Sequence, residues 1–255
     1  GMVTLRDDIF KLEQLFIQKD IYKASAYGTV PYDLFRVSSE RINPEAQMDI
    51  TVKLDNANLA ILPSLSKSVE SGNGDTKGEI DLTGTLENPL VTGSLGIDNG
   101  LVKIKNIKTP IENLNMRIVF EGTTLRLEAL SAKIGANGIL RASGNLGFMD
   151  STENYKLEVQ SSNVAIDSSI FKGIINGNMT ITPQKYGPPG VEQRIRPLVS
   201  GELRFDKVLI NMPTIPEFGE GNSNIGLDVK IVLGPEIHLY NKYLYDLWLS
   251  GGLHI

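Results

Sequence analysis

The stretch that decides the fold of this chain occurs twice. The two copies, at residues 89–95 and 197–203, read Pro89-Leu90-Val91-Thr92-Gly93-Ser94-Leu95 and Pro197-Leu198-Val199-Ser200-Gly201-Glu202-Leu203. They are separated by roughly 110 residues. Self-similarity at a fixed period is typical of units that bury their apolar face by stacking on their neighbours. The repeat therefore favours an extended scaffold over a compact catalytic domain.

A second echo lies further towards the amino terminus and has almost the same period. It consists of Leu12-Glu13-Gln14-Leu15 with Ala26-Tyr27-Gly28, and of Leu127-Glu128-Ala129-Leu130 with Ala142-Ser143-Gly144. The two echoes together predict about two copies of one unit in the 255 residues. We expect the end of a preceding unit at 1–27, a first full unit at 28–144, and a second, loop-interrupted and truncated unit at 145–255.

Alternation of apolar and polar residues indicates the secondary structure. Met48, Ile50, Val52 and Leu54 are separated by Asp49, Thr51 and Lys53, and the same period recurs along most of the chain. A period of two places one set of side chains on a single face of a β-strand. Because the other face is polar, we expect an all-β, antiparallel-rich sheet instead of a buried parallel one.

Turn and helix signals divide these strands. Four Asn-Gly pairs, at residues 73, 99, 137 and 176, favour tight hairpin turns. The best helix candidate is 57–70, with Pro63 at its start or at a break. The proline-rich segment from Pro183 to Pro197 predicts a loop that interrupts the second unit, and residues 213–222 predict another.

Composition excludes several classes of function. Acidic residues outnumber basic ones 30 to 25, which disfavours a nucleic-acid partner. The chain contains no cysteine, so thiolate nucleophiles and thiolate metal sites are absent. Its two histidines, His238 and His254, lack a second histidine at metal-ligand spacing and are expected to be structural or solvent-facing. We therefore expect no enzyme activity, no catalytic residue, no metal and no cofactor.

The two ends of the sequence bear on how the protein is anchored. The sequence contains no run of 18 apolar residues that could span a bilayer, and no signal peptide is visible. Gly1 precedes Met2, and the last five residues continue a strand-like alternation. We expect an excised piece of a longer protein whose membrane anchor lies elsewhere.

The aliphatic stripe along the alternating segments has two interpretations. One is a dry core between two sheets, and the other is an open groove for acyl chains, favoured by lengthwise repeats and few polar anchors. The residues predicted to line the groove are Ile50, Val52, Leu54, Ile80, Leu82, Leu95, Ile97, Leu114, Met116, Ile118, Phe120, Leu125, Leu127, Leu203, Phe205, Val208, Ile210, Met212, Ile225, Leu227, Val229 and Ile231.

One longer phrase carries a family resemblance. It reads Gly78-Glu79-Ile80-Asp81-Leu82-Thr83-Gly84-Thr85-Leu86-Glu87-Asn88-Pro89-Leu90-Val91-Thr92-Gly93-Ser94-Leu95, followed by Asp98-Asn99-Gly100-Leu101-Val102. A strand ending in Gly-Thr, an Asn-Pro turn, and a strand that closes on an Asn-Gly turn resemble the recurring phrase of the TamB family. That family is the inner-membrane component of the translocation and assembly module and is related to AsmA-like proteins. Ala26-Tyr27-Gly28-Thr29-Val30-Pro31 also fits the family's entry to a unit.

The resemblance implies a long, curved β-sheet folded lengthwise like a taco, with an apolar concave face. It implies a periplasmic location, anchored to the inner membrane, and phospholipid acyl chains as cargo carried between the two membranes. An outer-membrane Omp85-type protein is the implied partner outside this chain. The second copy departs from the pattern, because 177–182 is followed by the proline-rich segment instead of the tight turn.

Three functions remain open at this point. The first is an acyl-chain conduit for phospholipid transport. The second is a chaperone or scaffold for the insertion of outer-membrane β-barrel proteins, which would pair its sheet edge with a client. The third is a closed β-sandwich that serves as an interaction domain.

Overall fold

The structure is a computed structural model of the whole chain. It describes residues 2–6, 9–19, 22–31, 45–85, 87–147, 154–187, 194–211 and 225–255. The predicted loop at 213–222 and the predicted lining residue Met212 lie outside these residues.

The described residues form one sheet of 14 strands, and the order of the strands in the sheet is their order in the chain. The strands are β1 Met2–Arg6, β2 Ile9–Lys19, β3 Tyr22–Pro31, β4 Gln47–Asn58, β5 Val69–Thr85, β6 Pro89–Ile104, β7 Ile111–Gly122, β8 Thr124–Ile134, β9 Ile139–Gly147, β10 Lys156–Asp167, β11 Phe171–Tyr186, β12 Arg194–Asn211, β13 Gly226–Asn241 and β14 Tyr245–His254. Each strand pairs with the next one, so the predicted all-β, antiparallel-rich sheet is confirmed.

The sheet is open and almost wholly antiparallel. Among the described strands, only β12 and β13 pair in parallel, from Leu198 opposite Gly226 to Asn211 opposite Tyr240. Strands β1 and β14 do not pair with each other, and each has one free edge. The closed β-sandwich alternative is therefore wrong for the described part of the chain, because no second sheet lies over the first.

The echoes found in the sequence correspond to repeated geometry. Between Leu12 and Leu15, β2 is shifted by one residue against β3, and between Leu127 and Leu130, β8 is shifted in the same way against β9. In both hairpins the first leucine lies opposite a glycine, and the second lies opposite an alanine. Each echo is thus the same bulged hairpin, displaced by six strands. The unit boundaries remain a prediction.

A glycine marks every third strand at an equivalent place. Gly28, Gly93, Gly144 and Gly201 lie on β3, β6, β9 and β12, with φ angles of 137°, 122°, 152° and 134°. A Cβ atom at each of these positions would lie about 2 Å from a carbonyl oxygen of a neighbouring strand. Only glycine fits so close an approach in this left-handed region. The six-strand period therefore contains two halves of three strands.

Three of the four Asn-Gly pairs do not form the predicted hairpin turns. Only Asn137 and Gly138 lie in a connection, between β8 and β9, whereas the pairs at 73, 99 and 176 lie within strands. At Asn99 the positive φ of 51° belongs to a β-bulge, which is the other place where such a backbone is required. The backbone N–H of Asn99 in this bulge donates a hydrogen bond to Asn115 Oδ1 on the next strand, at 3.1 Å.

The predicted helix at 57–70 is much shorter in the structure. Strand β4 continues to Asn58, a 3₁₀ turn covers Leu59–Ile61, and α1 covers only Leu62–Leu65. The Asn58 Oδ1 accepts the Ala60 N–H at 2.8 Å and starts this helical segment. From Val69 onward the chain pairs as β5, so tertiary pairing replaces the helical pattern.

The loop predicted from Pro183 to Pro197 is wrong at both of its ends, whereas its middle, residues 188–193, lies outside the described residues. Pro183 and Pro197 face each other in the β11–β12 ladder, which continues to the Tyr186–Arg194 pair. Proline is tolerated there because β10 pairs with β11 only as far as Ile181, and β13 pairs with β12 only from Leu198 onward. Neither proline therefore faces a described neighbour that requires its missing N–H.

Candidate functional site: an apolar face along the sheet

One row of residues crosses ten strands on the same face of the sheet. Directly opposed residues of paired strands share a face, so the register defines the row. It consists of Leu54, Gly78, Leu95, Ile118, Leu127, Gly144, Leu157, Ile181, Val199 and Leu227. We call the surface built by this row and by its inward-pointing neighbours the apolar face.

The opposite face is polar along the same strands. One of its rows consists of Arg141, Gln160, Asn178, Glu202, Lys230 and His254. Burial also differs between the two faces, since Ile97, Leu127 and Val229 on the apolar face are 6%, 8% and 4% exposed. The sheet therefore curves around its apolar face.

The predicted lining residues lie together on the apolar face wherever the structure describes them in strands. Register pairs join Ile50 to Leu82, Val52 to Ile80, Leu95 to Ile118, Ile97 to Met116, Phe120 to Leu125, Ile118 to Leu127, and Leu203 to Ile231. Leu54 and Leu114 face Gly78 and Gly100, whereas Phe205, Val208 and Ile210 face Leu233, Ile237 and Leu239.

The end of the predicted lining is the most open part. Ile225 lies just before β13 and is 47% exposed, and Leu227 is 54% exposed. Most of the other lining side chains are partly exposed, although Ile97, Leu127, Val208 and Val229 are buried. Within the described residues, no second layer covers the face apart from the short helical segment.

The predicted lining residues omit the middle of the face. Strands β9, β10 and β11 contribute Leu140, Ala142, Leu157, Val159, Met179 and Ile181. Each of these strands shows the same alternation, so the signal was present in the sequence. On β9, however, glycine and alanine occupy some of the inward positions. An alternation that contains such small residues is harder to recognise as part of an apolar face.

The helical segment covers one part of the face over β5 and β6. Leu59 is 4% exposed and packs with Ile97 and Val102 in a buried cluster. Its side chain rests on Gly100, where an added Cβ would lie 2.9 Å from Leu59 Cδ1. Because Gly100 has no side chain, the helical segment can pack closely against the apolar face at this point.

Thr76 and Tyr155 place polar groups on the apolar face. Thr76 lies opposite Ile97, is 7% exposed, and its hydroxyl finds no hydrogen-bond partner among the described residues. Tyr155 lies just before β10, and partial burial raises the pKa of its hydroxyl above the ordinary value of 10.0. Both groups are uncharged at neutral pH, so the face carries no charge at these points.

The polar face is held by cross-strand pairs. Lys53 Nζ lies 3.2 Å from Glu79 Oε2, and this hydrogen-bonded neighbour raises the pKa of the lysine. Both side chains are exposed, so the pair adds little stability. These charged side chains instead keep the outer surface hydrophilic, as expected for a sheet with one face exposed to water.

Both histidines lie on the polar face and bridge the last two strands. His238 Nε2 lies 2.6 Å from Asp246 Oδ1, and His254 Nε2 lies 2.8 Å from Asp228 Oδ1. His238 also stacks on Trp248, with ring centroids 4.5 Å apart. Within the described residues, no three His, Cys, Asp or Glu side chains are grouped as a metal site would need.

A shallow depression of about 470 Å³ lies along Lys77, Gly96, Arg117 and Ala129, which form one row of the polar face. Its walls include Lys77, Asp98 and Arg117, and its floor is formed near Gly96 and Ala129. The depression follows from two small residues in a row of longer ones. Its charged walls suit water better than an acyl chain, so it is not a continuation of the apolar face.

The profile of the TamB C-terminal domain matches residues 23–205, which run from β3 into β12. The chain belongs to the TamB C-terminal domain family. The family resemblance drawn from the sequence is thereby confirmed, and the matched region contains both copies of the repeated stretch. No curated protein and no solved structure matches the chain.

TamB-family proteins belong to the cell envelope, and membership assigns this chain a general role in envelope assembly or lipid transport. Strands β13 and β14 lie beyond the matched region. Among the residues that the structure describes, no helix has the length and apolar composition to cross a bilayer.

Proposed function

We propose that this TamB-family chain is a β-groove that shields phospholipid acyl chains during transport between the inner and outer membranes. The observation that carries the proposal is the unbroken apolar row from Leu54 on β4 to Leu227 on β13. The row is uncharged, lies on the concave side and remains partly open. A bound lipid would keep its head group in water and its tails on the apolar face.

The length of the row fits a sliding cargo. Ten strands give nine spacings of about 4.8 Å, so the row extends for about 43 Å. An acyl chain occupies one leaflet, about 15 Å of the hydrocarbon core, and is therefore much shorter than the row. Each methylene moved from water onto such a surface gains about 0.8 kcal/mol wherever it is placed. A uniform face gives a chain many equivalent positions and no single deep site.

The proposal includes the protein's class, its location and its partners. The groove is a binding and transport module and not an enzyme, and it needs no metal or cofactor. Its place is the periplasm, with an anchor in the inner membrane supplied by other parts of the full-length protein. An outer-membrane Omp85-type protein is the partner that the family suggests, and nucleic acid is not a partner.

A transfer assay tests the proposed function. The purified protein is mixed with donor vesicles that contain a fluorescent phospholipid and with unlabelled acceptor vesicles. Ile118→Asp places a charge on the central row, whereas Val119→Asp places it on the polar face of the same strand. We expect transfer by the parent protein and by Val119→Asp, and loss of transfer in Ile118→Asp. Equal transfer by all three proteins would refute the conduit.

The free edge of β14 supports a second candidate function, the chaperone for β-barrel assembly. Residues Tyr245–His254 present an edge that pairs with nothing on its outer side within the described sheet. Leu247 and Leu253 on this strand are 48% and 58% exposed. An open, apolar edge is what a client strand needs for β-augmentation.

A proline on the outer edge separates the two candidates. Val229 and Ile255 exchange two backbone hydrogen bonds, at 2.7 and 3.0 Å. Along an antiparallel pair such exchanges alternate, so the N–H of Gly252 on β14 points away from β13. Gly252→Pro should block edge pairing and leave the β13–β14 ladder in place. If the protein is a chaperone, Gly252→Pro should abolish barrel assembly and Ile118→Asp should leave it intact. If the protein is a conduit, Ile118→Asp should abolish lipid transfer and Gly252→Pro should leave it intact.

A further inference from the structure

In the described part of the chain, the pairing of β11 with β12 continues beyond the pairing of either strand with its other neighbour. Strand β10 pairs with β11 only as far as Ile181, and β13 pairs with β12 only from Leu198 onward. The segments 183–186 and 194–197 pair with each other and with no other described strand. We call these two segments the hairpin extension. Within the described residues it forms a two-stranded ribbon at the end of the sheet.

The two faces of the hairpin extension differ in chemistry. Pro183, Lys185, Ile195 and Pro197 continue the alternation of the apolar face, and Gln184, Tyr186, Arg194 and Arg196 continue that of the polar face. Arg196 is held in place, because its Nε donates to Gln184 Oε1 at 3.0 Å and its guanidinium lies 4.9 Å from the Tyr186 ring centroid. The ribbon therefore presents an ordered cation and an aromatic ring on one side.

The charge of this hairpin is opposite to that of the rest of the protein. Residues 182–198 contain Lys185, Arg194 and Arg196 against a single acid, Glu192, which gives a net charge of +2 within a chain of net charge −5. The other connections at the same end of the strands, 7–8, 32–46, 86–88, 123 and 148–155, contain at least as many acidic as basic residues. The cations at this end of the strands are thus concentrated on this hairpin.

We propose that the hairpin extension docks the protein onto the surface of an anionic phospholipid bilayer. Arginine and lysine bind phosphate oxygens, and tyrosine is favoured at the interface between head groups and hydrocarbon. The prolines and Ile195 on the other side provide the apolar contact that an interfacial ribbon also needs. The acidic remainder of the chain would be repelled from the same surface, so attraction at the extension also orients the protein. The inference does not depend on what the apolar face carries.

Vesicle co-sedimentation tests the docking site. The probes are vesicles of phosphatidylcholine alone and vesicles of phosphatidylcholine with an equal amount of phosphatidylglycerol. The test variant combines three substitutions, Lys185→Gln, Arg194→Gln and Arg196→Gln. The control removes the same charge from exposed lysines at the other end of the strands, by Lys67→Gln, Lys103→Gln and Lys105→Gln.

The expected result follows from the charge near the membrane. Each basic residue close to an anionic surface contributes about a fivefold increase in partitioning, so the triple test variant should bind anionic vesicles about a hundredfold more weakly. The control should bind like the parent protein, and high salt should abolish binding of the parent. If loss of the Arg196–Tyr186 contact unfolds the triple variant, the pair Lys185→Gln and Arg194→Gln should still reduce binding about twentyfold.

Three results would overturn the docking site. The first is equal binding of the parent to neutral and anionic vesicles. The second is an equal loss in the test and control variants, which would assign the effect to net charge alone. The third is unchanged binding of the test variant to the anionic vesicles. Binding of a soluble fluorescent fatty acid is measured for every variant, without vesicles. Unchanged binding of the fatty acid would show that the apolar face is intact. Failure of the docking site and failure of the groove are therefore distinguishable.

Discussion

Gly93 on β6 lies so close to the Glu79 carbonyl on β5 that a Cβ atom added to Gly93 would be 2.1 Å from the oxygen. Its φ of 122° also lies where side chains are rarely tolerated. Gly93→Ala should therefore lower the free energy of unfolding by about 3 kcal/mol, through both backbone strain and steric contact. Urea denaturation followed by far-UV circular dichroism measures the change.

Gly96 on the same strand provides the matched control. A Cβ there would meet no atom closer than 3.8 Å, and the backbone is not in the left-handed region. Gly96→Ala should be neutral or slightly stabilising, because alanine restricts the unfolded chain. Equal destabilisation by both substitutions would show that the strained glycine is not a structural requirement of the repeat.

Two buried threonines should respond in opposite directions to the same substitution. The Thr76 hydroxyl has no hydrogen-bond partner among the described residues, whereas Thr51 Oγ1 donates to Asp81 Oδ1 at 2.6 Å. Thr76→Val should stabilise the protein by about 1 kcal/mol, because it removes an unsatisfied polar group. Thr51→Val should destabilise it by a similar amount. A loss of stability in Thr76→Val would indicate that the hydroxyl is satisfied in solution, for example by water.

The final strand should separate from the sheet before the sheet unfolds. Trp248 is the sole tryptophan of the chain, lies on β14, is 68% exposed, and stacks on His238 of β13. An edge strand with few buried contacts belongs to the least stable part of a structure. Tryptophan fluorescence should therefore change at a lower urea concentration than circular dichroism does. Coincident transitions would show that β14 unfolds together with the rest of the sheet.

Charge on the apolar face tests whether that face is open. Ile118 is only partly buried between Leu95 and Leu127, so water can reach a carboxylate placed there. Ile118→Asp should lower the free energy of unfolding by about 2 kcal/mol and leave the sheet folded. Val119→Asp should have almost no effect, since Val119 lies beside Arg126 on the polar face. Collapse of folding in Ile118→Asp in a thermal melt would indicate a sealed core.

Much of this fold could be predicted from local pattern. Strict alternation places every predicted lining residue that is described in a strand on one face of the sheet, because the period of two is a property of the backbone. The recurrence of Leu12–Leu15 at Leu127–Leu130 corresponded to a repeated bulged hairpin. Strand order followed chain order, which is the simplest arrangement for repeated hairpins.

The misses occurred where tertiary pairing overrode a local turn signal. Asn-Gly favours a positive φ, but a bulge within a strand requires the same backbone as a hairpin turn, and Asn99 occupies such a bulge. Pro183 and Pro197 are breakers in a central strand yet are tolerated beyond the neighbours' ends. Whether a neighbour reaches that far is a property of the whole sheet, which the local sequence does not encode.

The absence of cysteine makes one measurement the most direct test of the central claim that acyl chains lie on the apolar face. A fluorophore is attached to Ile118→Cys or to Val119→Cys, one on each face of β7. Each labelled protein is mixed with a phospholipid that carries a nitroxide on its acyl chain, which quenches at contact distance. We predict strong quenching at position 118 and almost none at 119. Equal quenching at both positions, or none at 118, would contradict it.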